Sequence, residues 1–225
     1  MTSQTTNTPV EVDIVSDIVC PWCWLGVRYF QQAAKQVDIP IVLNWHPYML
    51  DPNVPKQGVP YKKYMADKFG DTPNNKFKSM RSHLEEAGPS VGIEFKFTGI
   101  PMRPNTLNAH RIMKWAGGQN KSSDMAEALF YAFFTEQKDI GNVAVLSNIA
   151  ADVGLDSALV RELLTTDKDK KSVENEIAHF AQLGISAVPT FIYNRQYIVQ
   201  GAQPVETHMA AIKKLAETSA KALGA

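Results

Sequence analysis

Cys20 and Cys23 are the only cysteines in the chain, and Pro21 and Trp22 separate them. Two thiols at that spacing can close into a disulfide, supply half of a metal site, or pack as small apolar side chains. A zinc site normally needs a second pair of ligands, and the chain offers no other cysteine and five scattered histidines. No metal is expected. Two unrelated buried thiols fit poorly with a pair placed where an apolar run gives way to a helix. Thiol–disulfide exchange is the chemistry that uses both sulfurs and their spacing.

The elements around the pair decide which sulfur reacts. The β-rich run at 10–16 leads into it, and a helix-compatible run at 22–37 leads out. A helix N-terminus carries unpaired N–H groups and a positive partial charge, which stabilise a thiolate. Pro21 suits the first helical position, because its φ is already helical and no N–H is lost. Cys20 is expected near the N-cap, relatively open, as the nucleophile. Cys23, one turn on, is expected to be better shielded and to resolve the mixed disulfide.

A second strand is expected at 39–46, which makes a βαβ unit with a parallel pair and a right-handed crossover. The segment to Pro60 is rich in Pro and Gly and reads as loop. Helical texture follows, with helices expected at 61–69, 75–87, 105–116, 124–136, 142–153, 157–165 and 170–183. The alternation Glu94-Phe95-Lys96-Phe97 suggests a short extended piece inside that block. Strands return at 187–193 and 196–200, joined by Asn194-Arg195 as a hairpin, and a last helix runs from Pro204 to about Ala222. The order β-α-β, helices, β-β-α describes one mixed sheet built from both ends of the chain, with a helical block between them. The boundaries this gives are 10–55 and 184–225 for the sheet-containing domain and 56–183 for the insertion.

Lys and Arg total 23, as do Asp and Glu, so the formal net charge is zero and nothing points to nucleic acid or an anionic membrane. With 44% hydrophobic residues there is ample material for a core. The first nine residues are polar and read as a disordered lead-in without a secretory h-region. No apolar run is long enough to span a bilayer. A cytoplasmic home is the default, and there a close cysteine pair cycles or senses rather than staples.

Pro189 opens the strand Thr190-Phe191-Ile192, where a residue without an N–H is out of place unless it lies at a strand edge or follows a cis bond. Cys-x-x-Cys after a first strand, joined to Val188-Pro189-Thr190 before a late one, is specific. With these motifs the chain resembles the DsbA-like thioredoxin family, and within it the FrnE-like proteins, which are related to the 2-hydroxychromene-2-carboxylate isomerases. The matching stretches run from Asp17-Ile18-Val19-Cys20 through Pro104-Asn105-Thr106 and His110-Arg111 to Gly184-Ile185 and Gly201-Ala202-Gln203-Pro204, so the resemblance covers nearly all of the chain.

The resemblance implies an α/β protein, a thioredoxin fold interrupted by an α-helical insertion domain. It implies a thiol–disulfide oxidoreductase (oxidase, reductase or disulfide isomerase) acting on a protein or small-molecule thiol or disulfide. Cys20 would be attacked or attack, Cys23 would resolve, and cis-Pro189 would pack beside the sulfurs. Pro21, Trp22, Val188 and Pro189 would face substrate, and the Val188 backbone would pair with an extended segment. Asn105 and His110 would help to line the facing pocket, although a helix cap explains Asn105 or Thr106 equally well and His110 can be an ordinary core residue. His46 and Asp17 also have two readings: each could perturb Cys20, and each can be structural. Two features depart from the family: Ala187 stands where Gly is frequent, and the extra cysteine pair of some relatives is missing. Exchange must therefore be with an external partner. No cofactor is expected, with glutathione fitting as a co-substrate. The alternatives are a glutathione-dependent isomerase or transferase of small aromatic or polyketide substrates, and a non-enzymatic chaperone. An amphipathic insertion helix could face the core or a second copy, so a homodimer is compatible with the sequence.

Overall fold

The computed structural model describes residues 9–70 and 76–223. The polar lead-in at 1–8 and the turn expected at 71–73 lie outside the described residues.

Strand β1 (Val10–Ser16) is buried along almost its whole length, as its run of β-branched residues requires of a strand covered on both faces. It lies at the centre of a four-stranded sheet of order β2-β1-β5-β6, where β2 is Ile41–Pro47, β5 is Thr190–Tyr193 and β6 is Tyr197–Gln200. β1 and β2 run parallel, with Val10 opposite Ile41 and Ser16 opposite Pro47. β5 is antiparallel to β1, with Ile14 opposite Phe191, and β6 is antiparallel to β5. Asn194 and Arg195 have φ of 47° and 57°, the two left-handed residues of a type I′ hairpin turn.

Helix α1 (Pro21–Gln36) and the C-terminal helix α9 (Val205–Leu223) pack on each other and on the sheet. Val27 and Phe30 of α1 join Val12, Ile14, Phe191 and Ile212 in one core cluster. The other face of α1 carries Cys23, Trp24 and Leu25 into a second, larger cluster made by the helical block. That block comprises α2 (Tyr61–Phe69), α3 (Lys76–Ala87), α4 (Leu107–Gly117), α5 (Ser122–Phe134), α6 (Val143–Asp152), α7 (Ser157–Thr165) and α8 (Lys170–Gln182). Trp24 is the peg between the two halves. Its ring stacks on Phe130 and Phe134 and meets the edge of Phe95, and its indole N–H donates to Glu127 at 3.1 Å. Glu127 also pairs with Arg28, so α5 holds α1 at two points.

Two local expectations change. In the loop before α2, Val59–Pro60 (β3) pairs antiparallel with Met102–Arg103 (β4), a bridge too short to leave a hydrophobic pattern. Residues 93–97 do alternate, with Ile93, Phe95 and Phe97 buried. They form no strand, because their backbone bonds the end of α5 instead: Lys96 N–H donates to Phe134 O at 2.8 Å, and the Thr135 hydroxyl donates to Glu94 O at 2.8 Å.

The sheet core also holds a histidine. His208 is fully buried against Phe30 and Phe191, and its Nδ1 shares a hydrogen bond with the Tyr193 hydroxyl at 2.6 Å. Burial pushes its pKa from an ordinary 6.5 down to about 4. The unfolded chain takes up this proton as pH falls through 6.5, and the folded chain refuses it until about 4. The stability is therefore intact above the unfolded value and declines below it by about 1.4 kcal/mol per pH unit, roughly 3 kcal/mol in all. His46 acts with the opposite sign. Burial lowers its pKa, but Glu176 at 2.8 Å and Asp13 at 3.1 Å outweigh burial and raise it. Comparison with His208→Gln isolates the first effect: denaturant midpoints taken from about pH 7 to pH 4 should show a shallower acid decline in the variant. An identical decline would mean that His208 is not the group that resists protonation.

Candidate active site

The turn Asp17–Cys20 closes with Cys20 N–H donating to Asp17 O at 3.0 Å, and Cys20 becomes the N-cap of α1. Its backbone is extended (φ −97°, ψ 111°) and its side chain caps nothing, so the sulfur is left for other work. Pro21 takes the first helical position. Cys23 N–H donates to Cys20 O at 3.0 Å, which places the second sulfur one turn along on the inner side. Both thiols are free.

The sulfurs are more enclosed than their helix position suggested. Cys23 is 0% exposed and Cys20 only 4%. The order of exposure is as expected, but Cys20 is not open, because Val188 lies against it. Cys20 Sγ reaches Val188 O at 3.8 Å across 168 residues of sequence. The Val188–Pro189 peptide is cis, and Pro189 sits beside the first turns of α1. Burial, and after it the neighbouring Cys20, push the Cys23 thiol well up, while the Ser16 side chain and the Asp17 amide oppose the rise.

Gly26 makes this approach feasible. A Cβ there would lie 2.9 Å from Pro189 Cγ and 3.2 Å from the Ala202 Cα. Overpacking of that kind costs about 1–3 kcal/mol, against about 1 kcal/mol gained from helix propensity. Gly26→Ala should thus lower the denaturant midpoint despite being a better helix former. A stabilised variant would show that the loop yields freely.

Of the other residues singled out from the sequence, Pro21 and Trp22 are half-buried beside the sulfurs, and Trp22 packs on His83 at 5.5 Å. These rings edge a groove of about 340 Å³ that also involves Leu25, Tyr29, Ala202 and Pro204. Asn105 and His110 have their polar atoms committed elsewhere. Asn105 donates to Val54 O at 2.7 Å and accepts the Leu107 N–H at 3.1 Å, and it, not Thr106, satisfies the start of α4. His110 donates from Nε2 to Tyr48 O at 2.8 Å and lies 3.4 Å from Asp17 Oδ1. Asp17 in turn accepts the Leu50 N–H at 2.8 Å, so both residues brace the loops around the pair. His46 is held by Glu176 and Asp13 as described. A larger cleft of about 640 Å³ lies between β2 and helices α4 and α8, and neither cysteine lines it.

Arg103 carried no signal in the sequence. Its guanidinium is buried, donates to the carbonyl of Val19 at 3.0 Å, pairs with Asp51 and lies over the Tyr64 ring. It ties the helical block to the peptide immediately before Cys20. Burial works against the Asp51 carboxylate, but Lys68, Tyr64 and Arg103 outweigh it and keep its pKa low. Among the described residues no group of three or more His, Cys, Asp or Glu could hold a metal ion, and no helix is long and apolar enough to cross a membrane.

A family model for the DSBA-like thioredoxin domain matches residues 11–213. The uncharacterized protein YwbO of Bacillus subtilis (strain 168) is 28% identical over 208 residues, which covers 90% of this chain and 96% of YwbO. Among solved structures, a probable DsbA oxidoreductase from Streptomyces coelicolor is similar with a TM-score of 0.84 at 25% identity, over 91% of this chain and 89% of its own. A 2-hydroxychromene-2-carboxylate isomerase shares the fold with a TM-score of 0.71 at 13% identity, over 94% of this chain and 98% of its own.

Proposed function

The chain belongs to the DsbA-like thioredoxin domain family, with the helical insertion its sequence implied, and from that premise we propose that it is a thiol–disulfide oxidoreductase whose Cys20–Cys23 pair cycles between dithiol and disulfide. The observation that carries this reading is the placement of the two free thiols. Cys20 stands at the N-cap of α1 facing Val188 O, and Cys23 stands one turn behind it.

Cys20, as thiolate, attacks a disulfide sulfur of the partner, and a mixed disulfide forms as the partner's other sulfur leaves. Cys23 then attacks Cys20 Sγ and releases the bound thiol. The reverse sequence passes a disulfide outward. Pro21, Trp22, Val188 and Pro189 form the face that meets the partner, an extended protein segment or a small thiol such as glutathione, and the groove beside Trp22 takes the flanking atoms. His110 and Asp17 brace the loops behind that face. The chain has two cysteines and uses neither as a structural staple, which supports a cycle run in the cytoplasm with an external partner.

The deciding experiment equilibrates the protein in glutathione buffers and follows tryptophan fluorescence, with Trp22 and Trp24 on either side of Cys23. A reversible two-electron transition is expected. A midpoint near about −120 mV would mark a disulfide donor, and one near about −270 mV a reductase. If no Cys20–Cys23 disulfide forms at any ratio, the reading fails.

A further inference from the structure

The direction in which Cys20 presents its sulfur is set by the two peptide groups on either side of it. The one that follows is fixed by α1: Pro21 is already helical, and Cys20 O accepts the Cys23 N–H at 3.0 Å. The one that precedes, between Val19 and Cys20, lies outside the helix and is held at both ends. Its N–H donates to Asp17 O at 3.0 Å, and its carbonyl, Val19 O, accepts from Arg103 Nη1 at 3.0 Å. Val19 is buried, and among the described residues no backbone N–H bonds that carbonyl. Its donor comes from β4, 84 positions along the chain. Arg103 Nη2 pairs with Asp51, whose other oxygen is taken by Lys68, and Nε is buried with no partner. An unpaired donor in the interior costs free energy. The guanidinium is thus oriented for Val19 O and Asp51, and not for the number of bonds it could make.

We propose that Arg103 is the positioning residue for Cys20. By holding Val19 O it keeps the Val19–Cys20 peptide in one orientation, and with it the line along which the Cys20 sulfur meets a partner's disulfide. This rests on the oxidoreductase reading above. Without the guanidinium the carbonyl has no donor in the interior. Turning it toward water rotates the peptide and draws the Cys20 N–H off Asp17 O. Cys20 then loses its fixed relation to Val188 O, 3.8 Å from its sulfur, and to the free N–H groups at the start of α1. Attack on a disulfide needs the sulfur in line with the bond it breaks, so a displacement of about 1 Å costs on the order of 10²-fold in rate. Arg103 itself is 3% exposed and meets no partner; it acts through the backbone.

An aromatic disulfide reagent that liberates a coloured thiolate reads attack by Cys20 as its first release. Removing Arg103 alone would strand the Asp51 carboxylate. Arg103→Met is therefore made together with Asp51→Asn and compared with Asp51→Asn alone, which leaves the bond to Val19 O in place. Asp51→Asn should release the thiolate within about twofold of the wild-type rate, and the double variant should be slower by on the order of 10-fold to 10²-fold. Exchange of the Cys20 amide hydrogen should quicken in the double variant only. Arg103→Lys with Asp51→Asn keeps a donor for Val19 O and should recover most of the rate. If the Met variant does not fold, Arg103→Gln with Asp51→Asn, whose shorter amide does not reach Val19 O, carries the same test. A double variant with the wild-type rate overturns the inference whatever its denaturant midpoint, because Arg103 would then only brace the fold. Equal slowing in Asp51→Asn also overturns it, because the ion pair and not the Val19 contact would set the rate. A wild-type protein that releases no thiolate from the reagent removes the oxidoreductase reading itself, a result distinct from either.

Discussion

Cys20→Ser should abolish disulfide exchange, with a loss on the order of 10³-fold or more down to the uncatalysed background. A serine hydroxyl does not ionise near neutral pH, and no other sulfur in the chain can take over from that position. Cys23 is one turn behind, fully enclosed, and its thiol is held in the protonated form by burial and by Cys20. Cys23→Ser should behave differently. Attack by Cys20 proceeds, resolution does not, and mixed disulfides accumulate on Cys20. Mass spectrometry of the intact protein after exposure to oxidised glutathione or a disulfide peptide reads this directly. Turnover retained in Cys20→Ser, or an adduct found on Cys23 with Cys20 untouched, would reverse the roles given to the two sulfurs.

Arg111→Met should cost about 3–5 kcal/mol of stability and leave the redox midpoint of the cysteine pair in place. The Arg111 guanidinium is completely buried at the end of α7. It donates to the carbonyls of Leu163 at 2.7 Å, Thr166 at 3.1 Å and Lys168 at 2.8 Å, and to Asn108 Oδ1 at 2.9 Å. A helix leaves its last carbonyls unpaired, and a cation suits that end. Methionine fills the volume but supplies no donor, and each buried carbonyl left without one costs about 1–3 kcal/mol before relaxation. For a chain of this size the loss corresponds to a fall in Tm of roughly 10 °C. Arg111→Lys should recover only part of it, because one ammonium cannot span carbonyls arranged around a planar fork. A melting temperature unchanged in Arg111→Met would mean that the α7 terminus finds other donors.

Arg111 also marks where reading the sequence stops. The motif containing it was visible, but apart from Asn108 its hydrogen-bond partners lie more than 50 residues away and are backbone carbonyls, which leave no trace in side-chain pattern. Arg103 escaped notice for the same reason: it matters through long-range contacts, to Val19 O and to Asp51. Elements announced by repetition were legible. The run at 10–16, the Asn194-Arg195 hairpin and helix α5 follow local rules; α5 moves by two residues at each end, and β5 starts three residues later than expected. The placement of Cys20 at the start of α1 was equally local, because Pro21 and the preceding strand determine it. Its burial was not, since the covering residue arrives 168 positions later. The alternation at 94–97 suggested only a short extended piece; it joins no sheet, because its backbone bonds the end of a helix.

The central place of β1 has a bearing on how the protein is made. Val15 pairs with Thr190, so about 175 residues must leave the ribosome before that edge of β1 meets its partner, on the order of 10–35 s at usual elongation rates. During that interval β1 and β2 can pair and the helices of the inserted block can form. The apolar edge facing the future β5 stays open throughout, the kind of surface that captures other nascent strands or recruits a holding chaperone. Any chain that stops short of β5 keeps that edge bare for good.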